Sequence, residues 1–462
     1  MFPPFNQELA RHYTLEIISG IETGNFILEQ ISQVSQERSG SGLMIGTLVC
    51  WNKIEQRRIV LHAVSGIARK LETKNKENIW ISKGIVHIVV DAVVESEQIN
   101  VALEKNDREI HRLTDIINSC EDKIEKSKLK NIRTKLTDES LKNVFSLYDF
   151  YRFDGKKISL NKIIEKRNGN LPPAGTGDCC APKLLNYAFR NDLQIISMDE
   201  VFFGKDTKNK TNGESYAPCD ERCGYILPSI LGLEILYRDS AIVVINKQSG
   251  LLSVPGKGEE KQDCAVSRLK KLYPQCIEQP SVHRLDMETS GILVMALTKE
   301  AHRNLNMQFA EGKVQKKYAA LLDGIVEKAS GNAVPKNGEK NGCIQLKFRL
   351  DPDNRPYQIY DEVNGKNGIT LWENAGAVNY VNPDTREIKK VTKMIYSPLT
   401  GRTHQLRLVS SDVHGFGLPI IGDSLYGNKT PSQRLMLHCF EIEFYHPVSG
   451  EKLKFYCEER GF

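Results

Sequence analysis

The chain has 462 residues, of which 40% are hydrophobic, 26% charged and 8% aromatic, proportions that exclude a disordered or a membrane-embedded protein and fit an ordinary globular one. Lys and Arg number 63 against 58 Asp and Glu, a net charge of +5, which permits a local basic groove for a polyanion and supplies no strongly basic tail. The length exceeds one typical core, so two or three domains are expected.

Met1 to Gly20 lacks a basic segment followed by an apolar run of signal-peptide length, and no later stretch is apolar for membrane-spanning length. A cytoplasmic location is therefore expected. Eleven cysteines at irregular spacing read as mostly reduced thiols rather than a disulfide framework.

In chain order, residues 1–100 read as an α+β region, with strands expected at Gly42 to Cys50 and Ile85 to Val94 and a basic, apolar-alternating stretch at Arg57 to His62. Residues 101–150 form a helical arm or hairpin. Leu103, Ile110, Ile117 and Ile124 recur by sevens with Leu113 and Cys120 between them, which puts an apolar stripe along a long helical or coiled-coil stretch. Two roles stay open for it: an arm that grips RNA or a partner, or a hairpin packed on its own domain. Residues 151–230 form a Cys/Pro/Gly-rich module and linker, from Pro172-Pro173-Ala174-Gly175-Thr176-Gly177-Asp178-Cys179-Cys180 to Cys219 and Cys223. From about 231 to 462 the texture is regular again, opening with the apolar run Ala241 to Ile245.

The stretch with most chemical content is Ser281-Val282-His283-Arg284-Leu285-Asp286-Met287-Glu288-Thr289-Ser290-Gly291, followed by a strand at Ile292 to Leu297 and a helix at Lys299 to Glu311. An acidic residue in a polar turn before a buried strand is held rigidly yet stays reachable from a cleft. Taken alone, such an aspartate is more often a turn or capping residue.

The wider context resembles the RluA-type pseudouridine synthases, whose pattern HRLDxxTSG carries an essential aspartate. The likeness continues at Lys316-Lys317-Tyr318-Ala319-Ala320, Asp353-Asn354-Arg355-Pro356, Thr400-Gly401-Arg402-Thr403-His404-Gln405-Leu406-Arg407, Pro419 to Gly427, and Arg434-Leu435-Met436-Leu437-His438. Leu236 to Pro255 resembles the first strands of the same catalytic domain. Several motifs in family order over half the chain outweigh any single short match. The resemblance implies an α+β fold, with a central mixed, mainly antiparallel sheet flanked by helices, preceded here by the unfamiliar α+β region and helical stretch. It implies an isomerase that converts uridine to pseudouridine in rRNA or tRNA, with no cofactor. The partner is then an RNA stem-loop, with neither DNA nor membrane expected.

By the same resemblance Asp286 is the nucleophile, acting at C1′ or assisting elimination at the sugar; both routes stay open. Arg407 is the cation that keeps it ionised, through two parallel hydrogen bonds. Tyr318 stacks on the target uracil and takes part in proton transfer. A base buried in folded RNA must be flipped out, and Arg284 fills the gap. His283 braces that loop or is purely structural; Arg402 and His404 line the entrance and contact RNA. Glu288 is expected to point away from the site.

Leu408-Val409 follows Arg407 where the family has a Val-His pair, which puts in doubt the RNA contacts beyond the pocket. No small RNA-binding module of the kind many relatives carry is recognisable at the N-terminus, although Leu171 to Gly204 resembles an extension in some bacterial relatives. Cys179, Cys180, Cys219 and Cys223 are zinc candidates, set against buried free thiols; adjacent cysteines are an unusual ligand pair. Two rival classes remain: a non-catalytic RNA-binding protein that kept the fold, and a glycosidase or nucleosidase, for which no second carboxylate in suitable context is evident.

Overall fold

In a computed structural model describing residues 5–30, 42–67, 69–167, 169–258, 261–328, 331–333 and 339–459, the chain divides into two units. One comprises Met1–Arg238 with Lys271–Tyr273, the other Asp239–Lys270 with Pro274–Phe462.

The first unit contains α1 (Glu8–Glu22), β1 (Phe26–Gln30), β2 (Leu43–Asn52), β3 (Arg57–Val64), β4 (Arg69–Thr73), β5 (Ile79–Ser82), β6 (Ile85–Val89), α2 (Ser96–Ser119), α3 (Lys123–Phe145), β7 (Asp149–Tyr151), β8 (Lys157–Ser159), α4 (Leu160–Lys166), α5 (Cys180–Arg190), β9 (Gln194–Phe203), α6 (Cys223–Leu231) and β10 (Glu234–Arg238). Its main sheet runs β5-β6-β3-β2-β9. β2 is buried at eight successive positions, the mark of a strand covered on both faces. Leu43 and Ile45 pack with Ile17 and Ile18 of α1, and Val49 packs with Ala10 and Tyr13. Gly46, of opposite parity, faces α5, where an added Cβ would lie 2.4 Å from the Cβ of Cys180. Only glycine allows that approach.

The stretch expected to be an irregular module therefore supplies regular structure. β9 pairs antiparallel with β2 along most of its length, and α5 begins at Cys180 with Pro182 in its first turn. Proline is tolerated there because the first-turn N–H groups have no intrahelical partner, so the Pro/Gly/Cys texture marks a helix start. The heptad stretch is a hairpin of α2 and α3, joined at residues 120–122 and capped by Asp122, which accepts the N–H groups of Ile124 and Glu125. Lys105 pairs with Glu139 at 3.6 Å, and Arg133 donates to Thr114. Leu113 and Ile117 are buried, but Ile124 is 72% exposed, because the chain has already turned at that point and the seven-residue period does not carry across.

The second unit contains β11 (Ile242–Lys247), most of α7 (Ala265–Leu272), β12 (Ser290–Ala296), α8 (Lys299–Ala310), β13 (Gln315–Leu322), β14 (Asn341–Leu350), β15 (Gln358–Tyr360), β16 (Lys366–Val381), β17 (Ile388–Pro398), α9 (Gln405–Ser411), β18 (Leu437–Tyr445) and β19 (Lys452–Tyr456). Within it the sheet order is β11-β12-β18-β13-β17-β16-β14-β15, with β19 added on β18. β12 and β18 pair in parallel, and the other described pairs in this unit are antiparallel, the mixed, mainly antiparallel sheet that the sequence implies. Every residue of β12 is buried. The crossing with β18 explains the Ser-Gly of the motif. Ser290 Oγ meets His438 Nδ1 at 2.9 Å. Gly291, at φ 118°, lies so close to β18 that a Cβ would fall 2.3 Å from the carbonyl oxygen of Cys439. No described helix in either unit is long and apolar enough to cross a membrane.

Candidate active site

The loop 281–289, which leads into β12, is fixed by its backbone. Ser253 Oγ donates to the carbonyl of Leu285 at 2.7 Å and accepts that residue's N–H at 3.0 Å. Lys247, at the end of β11 and fully buried, donates to the carbonyls of Leu251, Gln248 and Met287. The Gly250 N–H also reaches Met287, and Ser249 Oγ donates to the carbonyl of Glu288. Burial pulls the Lys247 pKa down to about 7, against the opposing charge of Asp286. Asp286, with a third of its side chain exposed, thus projects from a loop clamped on both sides of it.

Arg407 comes from α9, whose start is built by Gln405. Its Oε1 accepts from Thr400 Oγ1 and the Arg402 N–H, while its Nε2 donates to Ile369 and Thr370. His404, in the left-handed region at φ 54°, precedes the helix and meets the Tyr426 hydroxyl at 2.9 Å. Burial lowers the His404 pKa, with Asp286 opposing and Arg407 reinforcing the shift.

The guanidinium of Arg407 is only 3% exposed, and the carboxylate it grips is not the expected one. Nε donates to Asp423 Oδ2 at 2.8 Å and Nη2 donates to Asp423 Oδ1. Asp286 lies 4.0 Å from Nη1, an ion pair without the two parallel hydrogen bonds expected from sequence. Asp423 wins that geometry because it is fully buried and already oriented by the N–H groups of Leu425 and Tyr426. Burial alone would raise the Asp423 pKa, but the hydrogen bonds and charge of Arg407 hold it below the usual carboxylate range. Glu288, expected to point away, turns inward: Oε2 lies 3.5 Å from Arg407 and accepts from Ser424, and Oε1 accepts from Lys429 at 2.9 Å. Of the three carboxylates around Arg407, Asp286 is therefore the least neutralised and the most exposed; it and Glu288 line the cleft, whereas Asp423 does not.

Tyr318 sits on β13 opposite Cys439 of β18. Burial, the neighbouring Cys439 and the charge of Asp286 push its pKa well above the ordinary phenol value, so it stays protonated near neutral pH. His283 is turned into the fold, its Nε2 accepting the Val294 N–H at 2.9 Å and its ring stacked on Phe309. Burial, and then the charge of Lys316, lower its pKa to about 3, so the imidazole is a neutral acceptor. Arg284 is exposed beside it, and exposed Arg402 reaches the carbonyl of Asn367 at 3.3 Å. All seven residues singled out from sequence as catalytic or RNA-contacting line one open cleft of about 2050 Å³. Sequence reasoning passed over Asp423, Ser253 and the inward turn of Glu288. Asp423 had a usable signal: it stands in the Pro419 to Gly427 segment, and a buried arginine requires a carboxylate.

The cysteines separate. The sulfurs of Cys179, Cys219 and Cys223 lie within 4.8 Å of one another, whereas the buried Cys180 thiol points to the carbonyls of Met44 and Ala63.

Residues 241–412 match the family model described as RNA pseudouridylate synthase. The chain is 41% identical over 234 residues to the dual-specificity RNA pseudouridine synthase RluA of Pasteurella multocida, covering 50% of this chain and 95% of that protein. It is 39% identical over 226 residues to the RluA of Haemophilus influenzae, covering 48% and 91%. Among solved structures, human RNA pseudouridylate synthase domain containing 1 is 26% identical with a TM-score of 0.38, covering 49% of this chain and 83% of that one. The chain belongs to the RluA-type pseudouridine synthases. Such enzymes are isomerases that modify RNA, and the likeness falls in the C-terminal half.

Proposed function

We propose that this enzyme isomerises a flipped-out uridine in a stem-loop of ribosomal or transfer RNA, with Asp286 as the acting carboxylate, Arg407 as its cation and Tyr318 against the uracil. The observation that carries the reading is the charge arrangement: a partly exposed carboxylate beside a buried guanidinium whose own position is locked by Asp423. The reaction breaks the N1–C1′ bond, turns the uracil and joins C5 to C1′; the C5 proton is lost and N1 regains one, so atoms balance without a cofactor. Attack at C1′ and assisted elimination at the sugar both use the same ionised carboxylate. Protonated Tyr318 offers a ring for stacking and a hydroxyl for proton transfer.

Arg284 occupies the gap left by the flipped base, where a planar guanidinium replaces lost stacking. His404 and Arg402 contact RNA at the entrance, and His283 braces the loop that carries Arg284. The RluA relatives are named dual-specificity RNA pseudouridine synthases, which fits an RNA substrate of more than one kind, and a cytoplasmic location fits RNA modification. Residues from about 231 hold the whole active site, and the preceding regions (1–100, 101–150 and 151–230) set affinity or substrate choice. A fragment starting at Ile226 is expected to fold alone and to bind a uridine-containing loop weakly; an insoluble fragment, or one inactive on every RNA the full chain accepts, overturns that division. The function itself is tested by mapping pseudouridines in total RNA with and without the gene. At least one rRNA or tRNA uridine should lose modification on deletion and regain it with the wild-type chain but not with Asp286→Asn. Unchanged maps would leave an RNA-binding protein without chemistry.

A further inference from the structure

Three thiols in the first unit stand outside the uridine chemistry altogether. Cys179 is the N-cap of α5, Cys223 is the first residue of α6, and Cys219 precedes α6 by one turn of chain. Their sulfurs lie within 4.8 Å of one another. A tetrahedral zinc with Zn–S bonds of about 2.3 Å holds its sulfurs about 3.8 Å apart, so the three need to close by no more than about 1 Å. α5 and α6 both present their N-terminal ends to the cluster, and the positive end of a helix favours negative charge.

Sequence offered four thiols, and the geometry removes one of them. Cys180 adjoins Cys179 but begins the helix proper, so its side chain is rotated away, fully buried against the Met44 and Ala63 carbonyls. Cys219 is exposed and Cys223 buried, so the triangle has a solvent side where a fourth ligand can enter.

We propose that Cys179, Cys219 and Cys223 bind a single zinc ion, with the fourth position taken by water, and that this metal fastens the start of α6 to the start of α5. Binding releases one proton from each thiol to solvent and involves no electron transfer. Three soft thiolates select zinc over magnesium or calcium. The metal closes the chain between Cys179 and Cys219, which includes α5 and β9, the strand that completes the main sheet against β2. Its role is structural and independent of the uridine site.

The test uses the full-length chain, purified under reducing conditions without chelator and passed through gel filtration before elemental analysis. One zinc per chain is expected. Cys219→Ser and Cys179→Ser should each weaken zinc at least tenfold in competition with a chromogenic chelator, with circular dichroism confirming that they fold. Cys180→Ser should retain zinc as the wild type does. Cobalt added to the metal-free chain should give the intense thiolate-to-metal absorption of a tetrahedral site, which needs no variant to fold. Zinc below a tenth of an equivalent after incubation with the metal overturns the proposal. So does a disulfide joining two of the three cysteines in the reduced preparation, or loss of zinc in Cys180→Ser equal to that in Cys219→Ser.

Discussion

Each unit buries a polar network, and the two are satisfied in opposite ways. In the first, His62 Nε2 meets His87 Nδ1 at 3.0 Å, His62 Nδ1 meets Thr47 Oγ1 at 3.1 Å, and Trp80 stacks on both rings. These groups are neutral and end on one another, so the network adds order without exposing a reactive atom. In the second, one guanidinium serves three carboxylates. Asp423 is fully paired, Glu288 is shared with Lys429 and Ser424, and Asp286 is left at 4.0 Å on the cleft side. A buried polar group is inert when its partners are exhausted; reactivity is concentrated where one member of a network is deliberately under-served.

The largest test of that contrast removes the under-served member. Asp286→Asn keeps the shape and loses the charge, so isomerisation should fall by orders of magnitude while RNA affinity stays within about tenfold and folding is unchanged. Turnover retained in a gel-based pseudouridine assay would take the reaction away from this loop. Next in size is Arg407→Met, which strands the fully buried Asp423 beside a neutral side chain. A destabilisation of about 3 to 5 kcal/mol is expected, together with loss of activity. Denaturant unfolding at neutral pH reads the first, and a wild-type midpoint would show that Asp423 has another partner.

Smaller and more selective is Arg284→Ala. Unstacking costs a few kcal/mol in a folded stem-loop and little in a flexible strand, so kcat/KM should drop many-fold more on the folded substrate. Equal losses on both would make Arg284 a loop-positioning residue. The smallest effect belongs to the histidine pair. Burial, and for His62 the neighbouring His87, lower both pKa values below 6.5. The unfolded chain then binds more protons than the folded one below pH 6.5, so stability is complete above that pH and declines as pH falls. The slope is at most about 1.4 kcal/mol per pH unit for each histidine. Replacing His62 by Phe should flatten the decline seen by thermal melts between pH 7 and pH 5, and an unaltered slope would assign the acid sensitivity elsewhere.

What the sequence disclosed follows the same physical division. The Asp286 loop, β12 and α8 were legible because local motif and apolar periodicity coincide there; the expected Ile292 to Leu297 strand and Lys299 to Glu311 helix differ from the observed elements by a residue or two at their ends. The pairing of Arg407 was not, since nothing local distinguishes Asp423 from Asp286 as the better hydrogen-bond partner until the Ile421–Tyr426 turn aims its N–H groups. α5 and β9 were hidden for a different reason: Pro182 in a first helical turn looks like a break, and β9 is recognisable as a sheet strand only once β2 lies beside it. The heptad pattern left an arm and a hairpin open, because periodicity carries no mark for the turn at residues 120–122 that separates α2 from α3.

The clamp on the Asp286 loop works through Leu285, Met287 and Glu288 carbonyls rather than through side chains. Position and identity are thereby uncoupled at the two exposed side chains of the loop, Arg284 and Met287. The side chains of Arg284 and Met287, both outward, are open to exchange without moving the carboxylate between them, so a lineage or an engineer can redirect which RNA is read while the reacting atom stays where it was. The cost of that freedom is carried by Ser253 and Lys247, whose side chains hold the backbone of the loop from behind the carboxylate.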